Sequence, residues 1–312
     1  MAEIVTLTLN PAIDESTSVD HVVSDRKLRC RAARFEPGGG GINVSRAIRR
    51  LGGESLAIYP AGGPAGTLLY SLLENEGIVQ RPVEIEAWTR ENVNVNEEST
   101  GRQFRFVFPG PALSQKDWAR CRNEIESLSP PPAFLVASGS LPPGVPDDFY
   151  ARLARWARRS RTRLVLDASG PALAQALEEG VFLVKPSLRE FQAVTGLADA
   201  EESHLREEAG RLVAAGRCEA IVLSLGGAGI LLVTARDAER IVPPAVPAQS
   251  TVGAGDTLLA GIVLRLWMGQ PLAEAARFGV AAAAASVMRP GTELCRREDA
   301  ERLYGRMLPI AV

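Results

Sequence analysis

Leu164-Val-Leu-Asp-Ala-Ser-Gly-Pro-Ala-Leu-Ala-Gln-Ala-Leu-Glu-Glu-Gly-Val-Phe-Leu-Val184 sets two short apolar runs on either side of a helical segment. Leu164–Leu166 and Val181–Val184 are continuous rather than alternating, which suits strands buried on both faces of a parallel sheet. The stretch between them, about 171–179, reads as helix. The same unit recurs outward. Ala133–Ala137 precedes it and Ala220–Leu223 follows it, with helical segments near 147–160 and 201–215. Strands alternating with helices imply an α/β fold with a doubly wound, mostly parallel sheet flanked by helices. Ser224–Gly229 is a glycine-rich turn into a further apolar strand, Ile230–Thr234. Two helices follow, Thr257–Met268 and Leu272–Met288, the second stopped by Pro290-Gly291. Upstream, Ile4–Leu9 reads as the first strand, ended by Asn10-Pro11.

Two segments do not belong to that pattern. Arg26–Phe35 and Val93–Phe108 alternate with period two, most clearly in Asn92-Val-Asn-Val-Asn96 and Arg102-Gln-Phe-Arg-Phe106. Alternation describes a sheet with one wet face. These segments flank a helix, Ile42–Leu51, whose Val44, Ala47, Ile48 and Leu51 share a face. They are expected to form a small β-sheet lid, its strands drawn from about 12–36 and 88–108. No repeat, low-complexity segment or linker divides the chain, so residues 1–312 are read as one domain.

Composition excludes several classes. Hydrophobic residues make up 46%, enough for a sizeable core. The net charge of −2, from 35 basic and 37 acidic residues, lacks the basic excess of a nucleic-acid binder. Arg152, Arg155 and Arg159 recur at helical spacing opposite Phe149, Leu153 and Trp156, which describes a solvated helix face. Cys30, Cys121, Cys218 and Cys295 lie far apart without a C-x-x-C pair, which argues against zinc and disulfides and suits a reducing cytoplasm. No basic n-region with an apolar core marks a signal peptide, and Leu258–Leu264, cut by Arg265, is too short to span a bilayer. A cytoplasmic protein with no membrane partner is therefore expected. Only three lysines occur, Lys27, Lys116 and Lys185, so a lysine can mark a place that needs a compact charge.

The chemistry is concentrated in Ser250-Thr-Val-Gly-Ala-Gly-Asp-Thr257, just before the apolar helix. Alone, this reads as a turn with an aspartate cap. The glycines also free the backbone to bring amides to an anion at the helix N-terminus. A carboxylate beside an anion site is explained by an acceptor hydroxyl that must lose its proton next to a phosphate. That is phosphoryl transfer to a sugar, with Asp256 as base and the amides of Gly253, Ala254 and Gly255 as the anion hole. A second cluster, Glu36-Pro-Gly-Gly-Gly-Gly-Ile-Asn-Val44, opens the earlier helix. Four glycines are costly to order unless a ligand approaches the backbone closely. Asn43 can donate and accept, as a sugar hydroxyl requires. Asp14, Ser138–Leu141, Lys185–Glu190 and Ser224–Gly229 follow expected strands and so gather at the ligand-binding edge of the sheet. No G-x-x-x-x-G-K-S/T, G-x-G-x-x-G or kinase His-Arg-Asp loop is present, and neither His21 nor His204 sits in a motif.

Taken together, the set resembles the ribokinase/PfkB family of carbohydrate kinases. The resemblance is carried by Leu7-Thr-Leu-Asn-Pro-Ala-Ile-Asp14, the Gly38–Val44 loop, Gly139-Ser-Leu-Pro-Pro-Gly144, Lys185-Pro186 with Glu190, and Thr251–Asp256, in family order along the chain. Lys27-Leu-Arg-Cys30, Phe35-Glu-Pro-Gly-Gly-Gly-Gly-Ile-Asn43 and Gly291-Thr-Glu-Leu-Cys295 look like the minor bacterial 6-phosphofructokinases within it. The resemblance implies ATP with Mg²⁺, transfer to fructose 6-phosphate, and a homodimer joined through the lid. It implies that Asp14, Gly39 and Asn43 hold sugar hydroxyls. Arg90 and Ser140 would hold the substrate phosphate, helped by Asn92 and by Lys27 from the partner lid. On the nucleotide side it implies Lys185, Ser187, Glu190, Ser224, Gly226, Gly229 and Thr251, with Glu190 reaching Mg²⁺ through water. It also implies a K⁺ site around Ser250, Val252, Ser286 and Gly291. Arg289 and Glu293 would alter that site or replace its ion by a salt bridge.

One departure matters. The family pattern is Asn-x-x-Glu, and this chain has Ser187-Leu-Arg-Glu190, a shorter side chain that changes the expected metal and nucleotide contacts. Phosphorylation of fructose 1-phosphate or tagatose 6-phosphate is the nearest rival, and a non-catalytic sugar-phosphate sensor is the rival of another class. Arg90 with Lys27 favours a phosphorylated substrate.

Overall fold

A computed structural model describes residues 3–198, 201–289, 291 and 293–307. In chain order it runs β1 (Ile4–Leu7), β2 (Ala12–Val19), β3 (Arg34–Gly38), α1 (Gly40–Arg50), β4 (Leu56–Ala61), α2 (Gly63–Asn75), β5 (Val79–Glu84), β6 (Arg90–Glu97) and β7 (Gln103–Phe106). It continues α3 (Gln115–Glu126), β8 (Phe134–Ser138), α4 (Phe149–Ser160), β9 (Arg163–Asp167), α5 (Gly170–Glu179), β10 (Val181–Val184), α6 (Leu188–Thr195) and α7 (Glu202–Ala214). The last elements are β11 (Cys218–Ser224), β12 (Ile230–Thr234), β13 (Ala238–Ile241), α8 (Ala254–Trp267), α9 (Leu272–Val287) and α10 (Arg297–Gly305).

Nine strands form the main sheet in the order β13-β12-β11-β10-β9-β8-β1-β4-β5. From β11 to β5 every pairing is parallel; only β12 and β13 run antiparallel. The continuous apolar runs follow from burial on both faces. Val5, Leu7, Leu135, Leu164 and Leu166 face one core, packed by Trp118, Leu153 and Leu173 from helices. Ile4, Phe134, Val136, Val165 and Leu183 face the other, packed by Val44, Ile48, Leu259, Ile262 and Phe278. The small sheet has the order β3-β2-β6-β7. Ile13 of β2 enters a third cluster with Tyr59, Leu69 and Leu73, which anchors the small sheet to the large one.

Several expectations need correction. The first strand ends at Leu7. Pairing of β2 with β3 covers Ser16↔Arg34 to Ala12↔Gly38, so the alternating residues 26–33 form no strand in this chain. The segment is mostly exposed and runs beside β2 without forming a ladder with it: the Arg31 amide donates to the Ser18 carbonyl at 2.8 Å, and the Arg31 carbonyl accepts from Thr17 Oγ1 at 2.8 Å. The elements β4, α2, β5, α3, α6, β13 and α10 are additional to the sequence reading. Pro290, expected to stop α9, lies outside the described residues.

Helices α8 and α9 pack more closely than side chains ordinarily allow. A Cβ on Gly279 would stand 2.7 Å from the Leu258 carbonyl oxygen, and one on Gly261 would stand 2.9 Å from the Gly279 Cα. Gly279→Ala should therefore destabilise the protein by about 1–3 kcal/mol, as overpacking does. Denaturant unfolding checks this, and an unchanged midpoint would mean that the helices part without cost.

Candidate active site

The chain enters the sheet at β1, two strands in from one edge, builds outward to β4 and β5, then returns to place β8 on the other side of β1. That reversal opens a crevice beyond the carboxyl ends of the strands. Thr8–Asn10, Ser138–Ser140, Asp167, Lys185–Glu190 and Ser224–Gly229 all leave strands at this edge.

Two helix N-termini converge on the crevice. Helix α8 starts after Gly253, whose φ of 73° is left-handed and suits glycine. Helix α1 starts after Gly39, whose φ is 112°. Neither helix is capped by the side chain of its own N-cap residue; in α1 the Ile42 amide donates to Thr8 Oγ1 at 2.8 Å and in α8 the Ala254 amide donates to the Thr251 carbonyl at 3.4 Å, and the other first-turn amides are left for a ligand. Asn43, in the first turn of α1, donates through Nδ2 to Asp256 Oδ2 at 3.0 Å. Beneath α8 lies Lys185, 6% exposed; its Nζ is 3.4 Å from where a Cβ on Gly255 would sit.

Lys185, placed on the nucleotide side by the family resemblance, is not free: its Nζ pairs with Asp167 Oδ1 at 3.1 Å, and Asp167 Oδ2 accepts from Ser138 Oγ at 3.2 Å. Burial alone would lower the lysine, but Asp167, Asp256 and Glu190 hold it above the ordinary value. Asp167 carries no motif, and only its place after a buried strand could have marked it. Asp256 lies in the first turn of α8, where the helix dipole favours the ionised form, yet its carboxyl is raised to about 7. Burial is the main cause, the negative charge of Asp167 adds to it, and Asn43 and Lys185 oppose it.

On the small-sheet side, Asn92 Nδ2 donates to Asp14 Oδ1 at 2.8 Å. A Cβ on Gly38 would lie 2.5 Å from Asp14 Oδ2, so the glycine loop closes directly on this carboxylate. Arg90 donates from Nη1 to the Phe108 carbonyl at 2.9 Å and from Nη2 to the Asn10 carbonyl at 3.0 Å. Its Nε is buried without a partner among the described residues, a donor left for an anion. Burial pushes Arg90 below the ordinary arginine value, and Asp14 partly offsets it. Asn10, absent from the expected set, donates to Ser140 Oγ at 3.0 Å. Ser140 is exposed at the crevice mouth. Lys27 is exposed in the irregular segment between β2 and β3. Another residue the sequence reading passed over is Arg46, 1% exposed behind Asn43.

Across the glycines of α8 lies a second space of about 800 Å³. Ser187, Ser224, Gly226, Gly229, Thr251 and Gly255 line it together with apolar residues of α8 and α9. Ser187 caps α6: its Oγ accepts from the Glu190 amide at 3.3 Å, and Glu190 Oε2 accepts from the Ser187 amide at 2.7 Å. Ser224 Oγ donates to the Pro186 carbonyl at 3.2 Å. A larger cleft of about 1110 Å³ opens at the opposite ends of the strands and contains none of the expected residues. Beside the 800 Å³ space, Ser250 Oγ donates to the Gly291 carbonyl at 2.6 Å and accepts from the Val252 amide at 3.2 Å. Ser286 Oγ nearby is buried without a partner among the described residues. Arg289 and Glu293 do not pair with each other; Arg289 binds Asp299, and Glu293 accepts from Arg34 at 3.3 Å.

The model of the pfkB family of carbohydrate kinases matches residues 7–299. An ATP-dependent 6-phosphofructokinase isozyme 2 from Mycobacterium tuberculosis is 46% identical over 301 residues, covering 96% of this chain and 88% of the relative. A crystal structure of phosphofructokinase-2 from Escherichia coli in complex with potassium superposes with a TM-score of 0.94 at 41% identity, covering 98% of this chain and 99% of the other. A 1-phosphofructokinase from Rhodobacter capsulatus is 33% identical, covering 89% of this chain and 88% of its own length. The family, the α/β fold and the small second sheet thus agree with the sequence reading.

The raised carboxyl has a thermodynamic consequence with a definite sign. The folded state holds the Asp256 proton up to about pH 7, whereas an ordinary aspartate releases it near 3.8. Its contribution to stability is complete below the lower value and is lost as pH rises through the upper one. Asp256→Asn should therefore raise the unfolding free energy at pH 8 by on the order of 1–4 kcal/mol relative to wild type, and by little at pH 4. Thermal unfolding across this range checks it; a gain independent of pH would contradict the assignment.

Proposed function

The chain belongs to the pfkB family of carbohydrate kinases, and we propose that it transfers the γ-phosphate of ATP to fructose 6-phosphate, giving fructose 1,6-bisphosphate. The observation that carries this reading is the Asp256 carboxylate, held at 3.0 Å by Asn43 where two amide-bearing helix N-termini meet.

Asp14, Gly39 and Asn43 orient the sugar hydroxyls, with Asn92 setting the Asp14 carboxylate. Arg90 and Ser140 take the substrate phosphate; the unpartnered Nε of Arg90 suits that task. ATP lies in the 800 Å³ space, its base against the apolar side chains of α8 and α9 and its phosphates toward Gly226, Gly229, Thr251 and Lys185. The C1 hydroxyl oxygen attacks the γ-phosphorus while Asp256 accepts the hydroxyl proton. The new O–P bond forms as the bond to the β-phosphate oxygen breaks, and ADP leaves. A carboxyl raised to about 7 suits a base working near neutrality. The amides of Gly253, Ala254 and Gly255 stabilise charge on the transferred group.

The nucleotide's Mg²⁺ neutralises phosphate charge when bound. Glu190 is the residue to hold it through water, because Oε2 is committed to the α6 cap and Oε1 is not. A K⁺ ion fits the Ser250, Val252, Ser286 and Gly291 cluster, where the Ser286 hydroxyl lacks a partner among the described residues. The small sheet acts as a lid. Its exposed Phe35 and Phe106 suit pairing with a second copy, which would also bring Lys27 to the neighbouring site. No described helix is long and apolar enough to cross a membrane, in keeping with a cytoplasmic enzyme.

The decisive assay is ADP release from MgATP with fructose 6-phosphate, fructose 1-phosphate and tagatose 6-phosphate in parallel. Fructose 6-phosphate should give the highest kcat/KM, and Asp256→Asn should lower kcat about 100- to 10,000-fold with substrate binding retained. Preference for either other sugar phosphate keeps the mechanism and changes the substrate. Binding without turnover of any of them would make the protein a sensor. Ser187→Asn, which restores the family residue and can still cap α6, should lower KM for MgATP by about tenfold or less and leave KM for the sugar phosphate unchanged. Steady-state kinetics with each substrate varied in turn check this; a changed KM for the sugar phosphate with an unchanged KM for MgATP would contradict it.

A further inference from the structure

Arg46 lies on α1 one turn beyond Asn43, and its side chain is 1% exposed. Burying a guanidinium is costly unless its donors are used. Nε and Nη2 form a two-pronged pair with Glu76, with contacts of 2.9 Å to Oε2 and 2.7 Å to Oε1. The third nitrogen points the other way. Nη1 donates to the Pro37 carbonyl at 3.0 Å and to Asn43 Oδ1 at 3.4 Å. Glu36 Oε1 approaches Nη2 at 3.9 Å.

These contacts fix the polarity of the Asn43 amide. With Oδ1 turned to a permanent cation, Nδ2 must face Asp256 Oδ2, where it donates at 3.0 Å. A flipped amide would set an oxygen against the carboxylate and an NH₂ group against the guanidinium, two repulsions at once. Nη1 also holds the carbonyl that immediately precedes Gly38, the glycine that closes on Asp14. One guanidinium therefore ties the base to the loop that receives the sugar hydroxyls, and Glu76 of the C-terminal cap of α2 holds it from behind.

We infer that Arg46 is a positioning residue for phosphoryl transfer: through Asn43 it presents a hydrogen-bond donor to Asp256, and through the Pro37 carbonyl it sets the glycine loop. The inference rests on Asp256 being the base. Asn43 is one of the groups that lower the proton affinity of Asp256. Loss of Arg46 frees the amide and weakens that effect, so the carboxyl should hold its proton to higher pH.

The test uses the full-length enzyme with Arg46→Lys, Asn43→Ala and their combination. An Arg46→Met/Glu76→Met pair guards against a variant that fails to fold, because it removes both charges of the pair together. The acid limb of kcat/KM for fructose 6-phosphate is measured in each. The substrate phosphate titrates alike in every variant, so a displaced limb belongs to the enzyme. The limb should move to higher pH by up to about one unit in the Arg46 variants. kcat should fall about 10- to 100-fold with KM for ATP little changed, and Arg46→Lys should cost less in the Asn43→Ala background than in wild type, because only the Pro37 contact is then left to lose. A lowered melting temperature with wild-type kcat and an unmoved limb would make Arg46 a purely structural residue and overturn the inference. Additive effects of Arg46→Lys and Asn43→Ala would also overturn it. Near-wild-type turnover by Asp256→Asn would remove the base itself, a failure distinguishable from either result because it does not involve Arg46.

Discussion

The hydrogen bond between Asn43 and Asp256 joins residues 213 positions apart, and the geometry of the crevice depends on it. Each partner sits in the first turn of a helix whose N-cap is a glycine. To meet, α1 and α8 must both approach the edge of the sheet closely. That requirement reaches into parts of the fold with no chemical role. A Cβ on Gly41 would stand 2.5 Å from the Leu7 carbonyl oxygen, so α1 begins almost against the end of β1. Gly261 and Gly279 allow α8 and α9 to close up behind the same point. The small residues of the core are thus placed by the need to bring two helix starts together.

Bringing them together concentrates charge. Asp14, Asp167 and Asp256 surround the crevice, with Lys185, Arg46 and Arg90 set against them. Each cation is largely committed before any ligand arrives: Lys185 to Asp167, Arg46 to Glu76, and Arg90 to two carbonyls. Neither Asp14 nor Asp256 has a cation as its direct partner among the described residues, and Asp167 and Asp14 act as like charges on Asp256. Its raised proton affinity therefore belongs to the whole cluster. The helix dipole favours ionisation of Asp256 but acts only through the first turn. Burial and two neighbouring carboxylates outweigh it.

Much of this was legible in the sequence. Continuous apolar runs named the parallel strands because burial on both faces removes alternation. The two glycine clusters named the helix starts because closely approached backbone excludes side chains. What escaped had a physical reason in each case. Strand β5 lies at the sheet edge, largely exposed and containing Pro82, so it shows neither run nor alternation. Residues 26–33 alternate yet form no ladder with β2, which they meet through Arg31. Asp167 is a single carboxylate after a strand, with nothing in its neighbours to distinguish it from a solvated one. Arg46 reads as part of a polar helix face because a sequence does not show that Glu76, 30 residues on, will meet it.

Ser187 illustrates how a local departure can leave the fold untouched. Serine and asparagine are both good N-caps, and here the serine completes a reciprocal capping box with Glu190. The start of α6 and the carboxylate are therefore fixed by a bond that either residue can make. The two side chains differ in reach: asparagine carries an amide further into the nucleotide space, whereas the serine hydroxyl is turned back onto its own helix. The backbone that frames the space does not depend on the difference, so the substitution acts on what the space can hold rather than on its shape. A residue whose structural duty tolerates exchange is one where the ligand contact can change without a cost to folding.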